Sequence, residues 1–218
     1  MHKPNNILEH DVKAELDWDP LLDADQIVVK ADAGVVTLSG AVPTYYDWAL
    51  ASDDALSVGG VTYVDNEIMV GLVGEAVADA DVAVACGDAL DADKLVPKGA
   101  VSVQVVDGWV TLSGTVRRHF QRQAAKRAVS KVDWVRGVTD YIVLSGDPIP
   151  SDVAARINDA LARNALIDDS LIEVTSSGHT IYLDGTTSSW ASRAEAEDTA
   201  WEAPGVTDVV EPAIELLA

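Results

Sequence analysis

The chain has 218 residues, 48% of them apolar, and a mean hydropathy of +0.11. That is enough for a real core, but the run of about 18 apolar residues that a transmembrane helix needs is missing. The 36 acidic and 15 basic residues give a net charge of −21, which opposes non-specific binding to polyanions, and no nucleic-acid partner is expected.

The first residues, from Met1 to Lys30, hold no continuous apolar segment of the secretory kind, and the one cysteine, Cys86, cannot form an internal disulfide. A reducing, cytoplasmic location is expected, at most peripheral to a membrane.

Read from its start, the chain is a threefold repeat. The segment GVVTLSGAV from Gly34 to Val42 returns as GWVTLSGTV from Gly108 to Val116 and, more loosely, as GHTIYLDGTT from Gly178 to Thr187. Each is followed by a Gly-Val pair: Gly60-Val61, Gly137-Val138 and Gly205-Val206. The units are residues 1–72, 73–146 and 147–218.

Each unit opens on a helical stretch: NILEHDVKAELDW, DADVAVACGDALDA or SDVAARINDALARN. In the first, Ile7, Val12 and Leu16 form the apolar side and Pro20 ends the helix. In the third, Val153, Ile157, Ala160, Leu161 and Ala165 recur at helical spacing behind Ser151 as N-cap. The VTLSG segments are β-branched and read as strands, and Asp107-Gly108 between two apolar runs reads as a hairpin turn.

Gly34, Gly108 and Gly178 are expected to supply positive φ in hairpins. Gly40, Gly114 and Gly185 are expected to let the chain leave the strand or the next helix pack close. Gly60, Gly137 and Gly205 are expected to close a helix ahead of the last strand. On this alignment the third hairpin is one residue longer, and the middle repeat spaces its Gly-Val three residues wider, through Val132-Asp133-Trp134-Val135. The predicted fold is α+β: three tandem α-β-β-α-β repeats, each a three-stranded mixed sheet with two helices on one face.

The repeat resembles the BON domain. The residues that carry the match are Val36-Thr37-Leu38-Ser39-Gly40, its copy Val110-Thr111-Leu112-Ser113-Gly114, and the Gly-Val pairs. DGWVTLSGTVRRHFQRQAAKRAV is similar to the central repeat of triple-BON proteins of the hyperosmotically inducible type. The resemblance implies no catalysis; it implies binding to phospholipid or membrane surfaces and a part in osmotic-stress tolerance.

The residues themselves offer little chemistry. His2, His10, His119 and His179 do not pair at metal-ligand spacing, and Asp88, Asp91 and Asp93 lack the order of a calcium loop. No metal, cofactor or catalytic residue is expected. Cys86 reads as a buried thiol.

Trp48, Trp190 and Trp201 fall on second helices, where they pack against the sheet. Trp109 follows a hairpin glycine and reads either as a packed contact between repeats or as an interfacial anchor.

Charge is the informative feature. The three units carry 13 acidic and 3 basic, 9 and 9, and 14 and 3 residues. Seven bases cluster as Arg117, Arg118, Arg122, Lys126, Arg127, Lys131 and Arg136. Arg118, Arg122 and Lys126 share one side of a predicted helix whose apolar side is Phe120, Ala124, Ala128 and Val132. Three readings stay open. This basic side complements the acidic outer repeats; it docks an acidic partner, including a second copy; or it meets an anionic phosphate surface, a lipid headgroup rather than a nucleic acid, which the acidic outer repeats would repel.

Overall fold

The computed structural model describes residues 3–71, 77–146, 148–164, 167 and 171–216, and of 211–216 the backbone alone. In chain order the elements are α1 (Asn5–Trp18), β1 (Val28–Asp32), β2 (Val35–Val42), α2 (Tyr45–Ser57), β3 (Tyr63–Val70), α3 (Asp79–Ala92), β4 (Val101–Val106), β5 (Trp109–Val116), α4 (His119–Ser130), β6 (Gly137–Leu144), α5 (Val153–Ala162), β7 (Ile172–Ser177), β8 (Thr180–Thr187), α6 (Trp190–Glu202) and β9 (Asp208–Leu216).

The strands form three sheets of order β1-β2-β3, β4-β5-β6 and β7-β8-β9. A hairpin pairs the first two strands of each sheet antiparallel. In the first and third sheets a helical crossover brings the last strand back parallel to the middle one, as a parallel pair requires. The α-β-β-α-β order and the mixed sheets are those expected from the repeat. The chain divides into two compact units, one of residues 1–114 and 124–141, the other of 115–123 and 142–218.

Alternation within the middle strand sets each core. In β2, Val36 and Leu38 are fully buried while Val35 faces out. Leu8, Val12 and Leu16 of α1 and Ala51 and Ala55 of α2 pack with them. The third sheet repeats this with Ile181 and Leu183 under Val153, Ile157 and Leu161 of α5 and Ala196 and Ala200 of α6. Each buried leucine or isoleucine stabilises by about 1.5–3 kcal/mol, and the alanines let the second helix lie close to the sheet.

Several expectations are corrected. Ile7 is exposed and Leu8 takes its place in the core. Ser151 lies in a turn; Asp152 is the N-cap of α5 and makes no capping hydrogen bond, its carboxylate instead accepting from Arg156 Nε at 2.9 Å. Ala160 is only half-buried, and Ala165 lies outside the described residues. In α4 the buried apolar residues are Ala124, Ala125 and Val129; Phe120 is exposed.

All three hairpins have two-residue turns, closed by Asp32↔Val35, Val106↔Trp109 and Ser177↔Thr180. Ala33-Gly34 and Asp107-Gly108 both have positive φ at each position, the type I′ pattern. In the third hairpin only Gly178 does, the type II′ pattern, so Gly178 matches Ala33 and not Gly34.

The middle repeat has no insertion either. The N–H of Thr62, Arg136 and Thr207 donates to the carbonyl of Gly34, Gly108 and His179 respectively. Those bonds make Gly60, Trp134 and Gly205 equivalent, with φ of 105°, 71° and 86°. A tryptophan thus takes the left-handed turn position that glycine holds in the other repeats, and Gly137 is instead the first residue of β6.

Gly40, Gly114 and Gly185 sit inside their strands at φ of 130–140°. A Cβ there would collide with the carbonyl of Gln26, Ala100 or Leu171, the residue entering the first strand or just ahead of it, not with the next helix.

Candidate functional site: the basic helix and the middle sheet

α4 opens without an acidic residue. Gln121, its third residue, accepts from the backbone N–H of Arg117 and Arg118 at 3.0 and 3.1 Å and so ties down the chain ahead of the helix. Arg118 therefore precedes the helix, and of the three cations expected to share a side only Arg122 and Lys126 lie on it.

The cations have different surroundings. In the second unit, Arg122 rests over the indole of Trp201 with its guanidinium carbon 4.9 Å from the ring centre. It also approaches His119 Nδ1 at 3.0 Å. His119 is buried. Burial, reinforced by the Arg122 charge, pulls its pKa down to about 4.

In the first unit, Lys131 Nζ lies 4.3 Å from the centre of the Tyr46 ring. Burial raises the carboxyl pKa of Asp53, an effect that the Lys126 charge partly offsets. Arg117, Lys126, Arg127, Lys131 and Arg136 are exposed. Of these only Lys126 and Arg127 lie on α4; Phe120 of the same helix is 53% exposed.

Arg136 borders a groove of about 240 Å³ with Val77, Asp79, Val82, Gly108 and Trp134. The Asp79 carboxylate there accepts from the N–H of Asp107 and Gly108 at 2.8 and 3.0 Å and holds the hairpin. In the first repeat Asn5 does the same for Ala33.

Trp109 does not project from its hairpin. Its Nε1 donates to Thr139 Oγ1 at 2.7 Å. Its six-membered ring lies so close over Gly137 that a Cβ there would fall 2.5–2.7 Å from three ring carbons. The indole is laid flat along the sheet, with 51% of the residue exposed. Ser102, Gln104 and Val106 of β4 alternate outward on this sheet, as do Thr111 and Ser113 of β5 with Trp109, and Thr139 and Tyr141 of β6.

Sequence reasoning missed Tyr46 and Trp201 as cation partners, because only the fold brings them to α4. It also missed Tyr141 and Thr139, although period-2 alternation along β6 would have placed them on the side of Trp109.

Trp48 and Trp201 pack against the cores of their repeats, and Arg193 covers Trp190. Cys86 is fully buried, and burial raises its thiol pKa to about 11. Asp93 caps α3 and accepts from Leu95 N–H. Among the described residues no three His, Cys, Asp or Glu side chains group as metal ligands, and no helix is long and apolar enough to cross a membrane.

A family model described as the BON domain matches residues 4–71, 78–146 and 151–217. The chain is 34% identical over 153 residues to osmotically-inducible protein Y of Escherichia coli (strain K12), covering 63% of this chain and 74% of that protein. Among solved structures it is similar to CdsD, a structural protein of the type III secretion system of Chlamydia trachomatis, at 15% identity and a TM-score of 0.27. That match covers 97% of this chain and 92% of the CdsD chain. The CdsD C-terminal domain matches at 14% identity and the same TM-score, with 99% of this chain and 100% of that chain covered.

Proposed function

The chain belongs to the BON domain family, and from that premise we propose that it is a stress-associated binding protein without catalytic activity that meets anionic phospholipid surfaces through α4. The observation that carries the reading is that Phe120, Lys126 and Arg127 of that helix are each exposed, in a protein of net charge −21. An aromatic ring at the headgroup level anchors a surface helix. Each cation near an anionic leaflet adds about 1 kcal/mol. Similarity to an osmotically-inducible protein supports an osmotic-stress setting.

The reading sets the protein at the cytoplasmic leaflet, which cell fractionation checks. Co-sedimentation with anionic vesicles tests the surface itself. Binding that is lost in a Phe120→Ser/Lys126→Glu/Arg127→Glu variant supports it, and no binding at low salt removes it.

A second reading has its own observation. Lys131 already rests on Tyr46, and Lys126 acts on Asp53, so the basic helix accepts acidic, aromatic repeat surfaces as neighbours. A second copy, or another acidic protein, presents the same chemistry. This assembly reading predicts a salt-sensitive oligomer in sedimentation velocity. A monomer at both low and high salt removes it.

A further inference from the structure

The outward side of the middle sheet differs in kind from those of its neighbours. The first sheet exposes Lys30, Asp32, Asp65 and Glu67, and the third exposes Glu173. The middle sheet puts no charged side chain at its outward positions from β4 through Tyr141. In a chain of net charge −21, that is a neutral strip carrying two aromatic rings.

Its geometry is built, not incidental. Gly137 leaves room for the Trp109 ring to lie against the backbone, and Thr139 Oγ1 takes the indole N–H. The ring is thereby pinned, its polar edge is satisfied, and one aromatic face is turned outward. Val106 stands directly opposite in register. Tyr141, 67% exposed, lies four residues beyond Gly137 on the same side of β6, about 13 Å along the strand. Gln104 and Thr111 place amide and hydroxyl groups on the same surface.

The chemistry selects the occupant. A polyanion or polycation finds no opposite charge here. A lipid tail or a wholly apolar partner would strip water from the amide and hydroxyl groups without replacing their hydrogen bonds. A sugar ring has one side of C–H groups that stacks on an indole or phenol ring, and a rim of hydroxyls that exchanges hydrogen bonds with amides and hydroxyls. We propose that the outward side of the middle sheet binds a neutral glycan chain, one sugar stacked on Trp109 and another on Tyr141. This site is separate from the α4 surface and does not depend on it.

The test is isothermal titration of the full chain with three uncharged hexasaccharides, cellohexaose, hexa-N-acetylchitohexaose and maltohexaose, with polygalacturonate as the charged control. Binding of at least one hexasaccharide, unchanged by salt and stronger than that of polygalacturonate, is expected. Trp109→Ala and Tyr141→Ala each weaken it about fivefold to tenfold, whereas Trp109→Phe keeps most of it. Tyr141 is exposed, so its variant stays folded and decides the matter even if Trp109→Ala unfolds. No binding of any hexasaccharide overturns the proposal. So does binding that survives Tyr141→Ala unchanged, equal binding of polygalacturonate, or a strip that takes phosphatidylcholine vesicles and no sugar.

Discussion

The imidazole of His119 and the indole of Trp201 are stacked with ring centres 4.0 Å apart and planes 17° from parallel. Arg122 covers the same indole and reaches His119 Nδ1, while the Gln123 amide meets Nε2 at 2.9 Å. A guanidinium only donates, so Nδ1 accepts and the ring is neutral.

Protonating His119 would set two donors and two positive charges against each other. Its folded pKa, about 4, lies below the ordinary 6.5, so between those values the unfolded chain binds the extra proton. The stability that neutral His119 contributes is present above pH 6.5 and is lost as pH falls toward 4. Urea unfolding at pH 7.5 and 4.5 checks this. The wild type loses more stability on acidification than His119→Gln does, and parallel losses contradict it.

Asp54 has the opposite sign. Burial comes first, followed by the nearby Asp19, Glu15 and Asp53 charges, and together they raise its pKa from 3.8 to about 6. Its Oδ2 is buried with no hydrogen-bond partner. The folded state holds the proton more tightly, so this contribution is present below pH 3.8 and lost as pH rises through 6. Asp54→Asn raises the melting temperature at pH 7.5, and the gain shrinks toward pH 4. A gain independent of pH contradicts the assignment.

Gly137 is small because of Trp109. Gly137→Ala costs about 1–3 kcal/mol by overpacking in the wild type and close to nothing when Trp109 is alanine. A double-mutant cycle in denaturant measures the coupling. Additive losses would show that Gly137 serves the backbone and not the indole.

Two kinds of glycine separate cleanly. At Gly114 a side chain meets the Ala100 carbonyl at φ 140°, and Gly114→Ala costs about 3 kcal/mol or more. At Gly87 in α3 a Cβ meets nothing within 4 Å, so Gly87→Ala stabilises by about 0.5–1 kcal/mol. Circular-dichroism melts of both variants give the comparison, and a destabilised Gly87→Ala would contradict it.

The fold was legible because VTLSG carries its own signal: two glycines bracket alternating Val and Leu, and the alternation puts Val36 and Leu38 in the core. The register of the middle repeat was not, because matching glycine to glycine pairs Gly137 with Gly60, whereas the backbone hydrogen bonds pair Trp134 with it. A tryptophan in a left-handed turn leaves no mark in composition. On α4 the basic charge was legible but its distribution was not. Whether Arg122 faces water or Trp201, and whether Phe120 or Ala125 faces the sheet, depends on where the chain starts the helix, and Gln121 sets that start.

The most direct test of the central claim is co-sedimentation of the full chain with anionic and with neutral vesicles at low and high salt. The account predicts binding to anionic vesicles alone, weakened by salt and lost in Phe120→Ser/Lys126→Glu/Arg127→Glu. A chain that stays in the supernatant with anionic vesicles at low salt, or a variant that binds as well as the wild type, contradicts it.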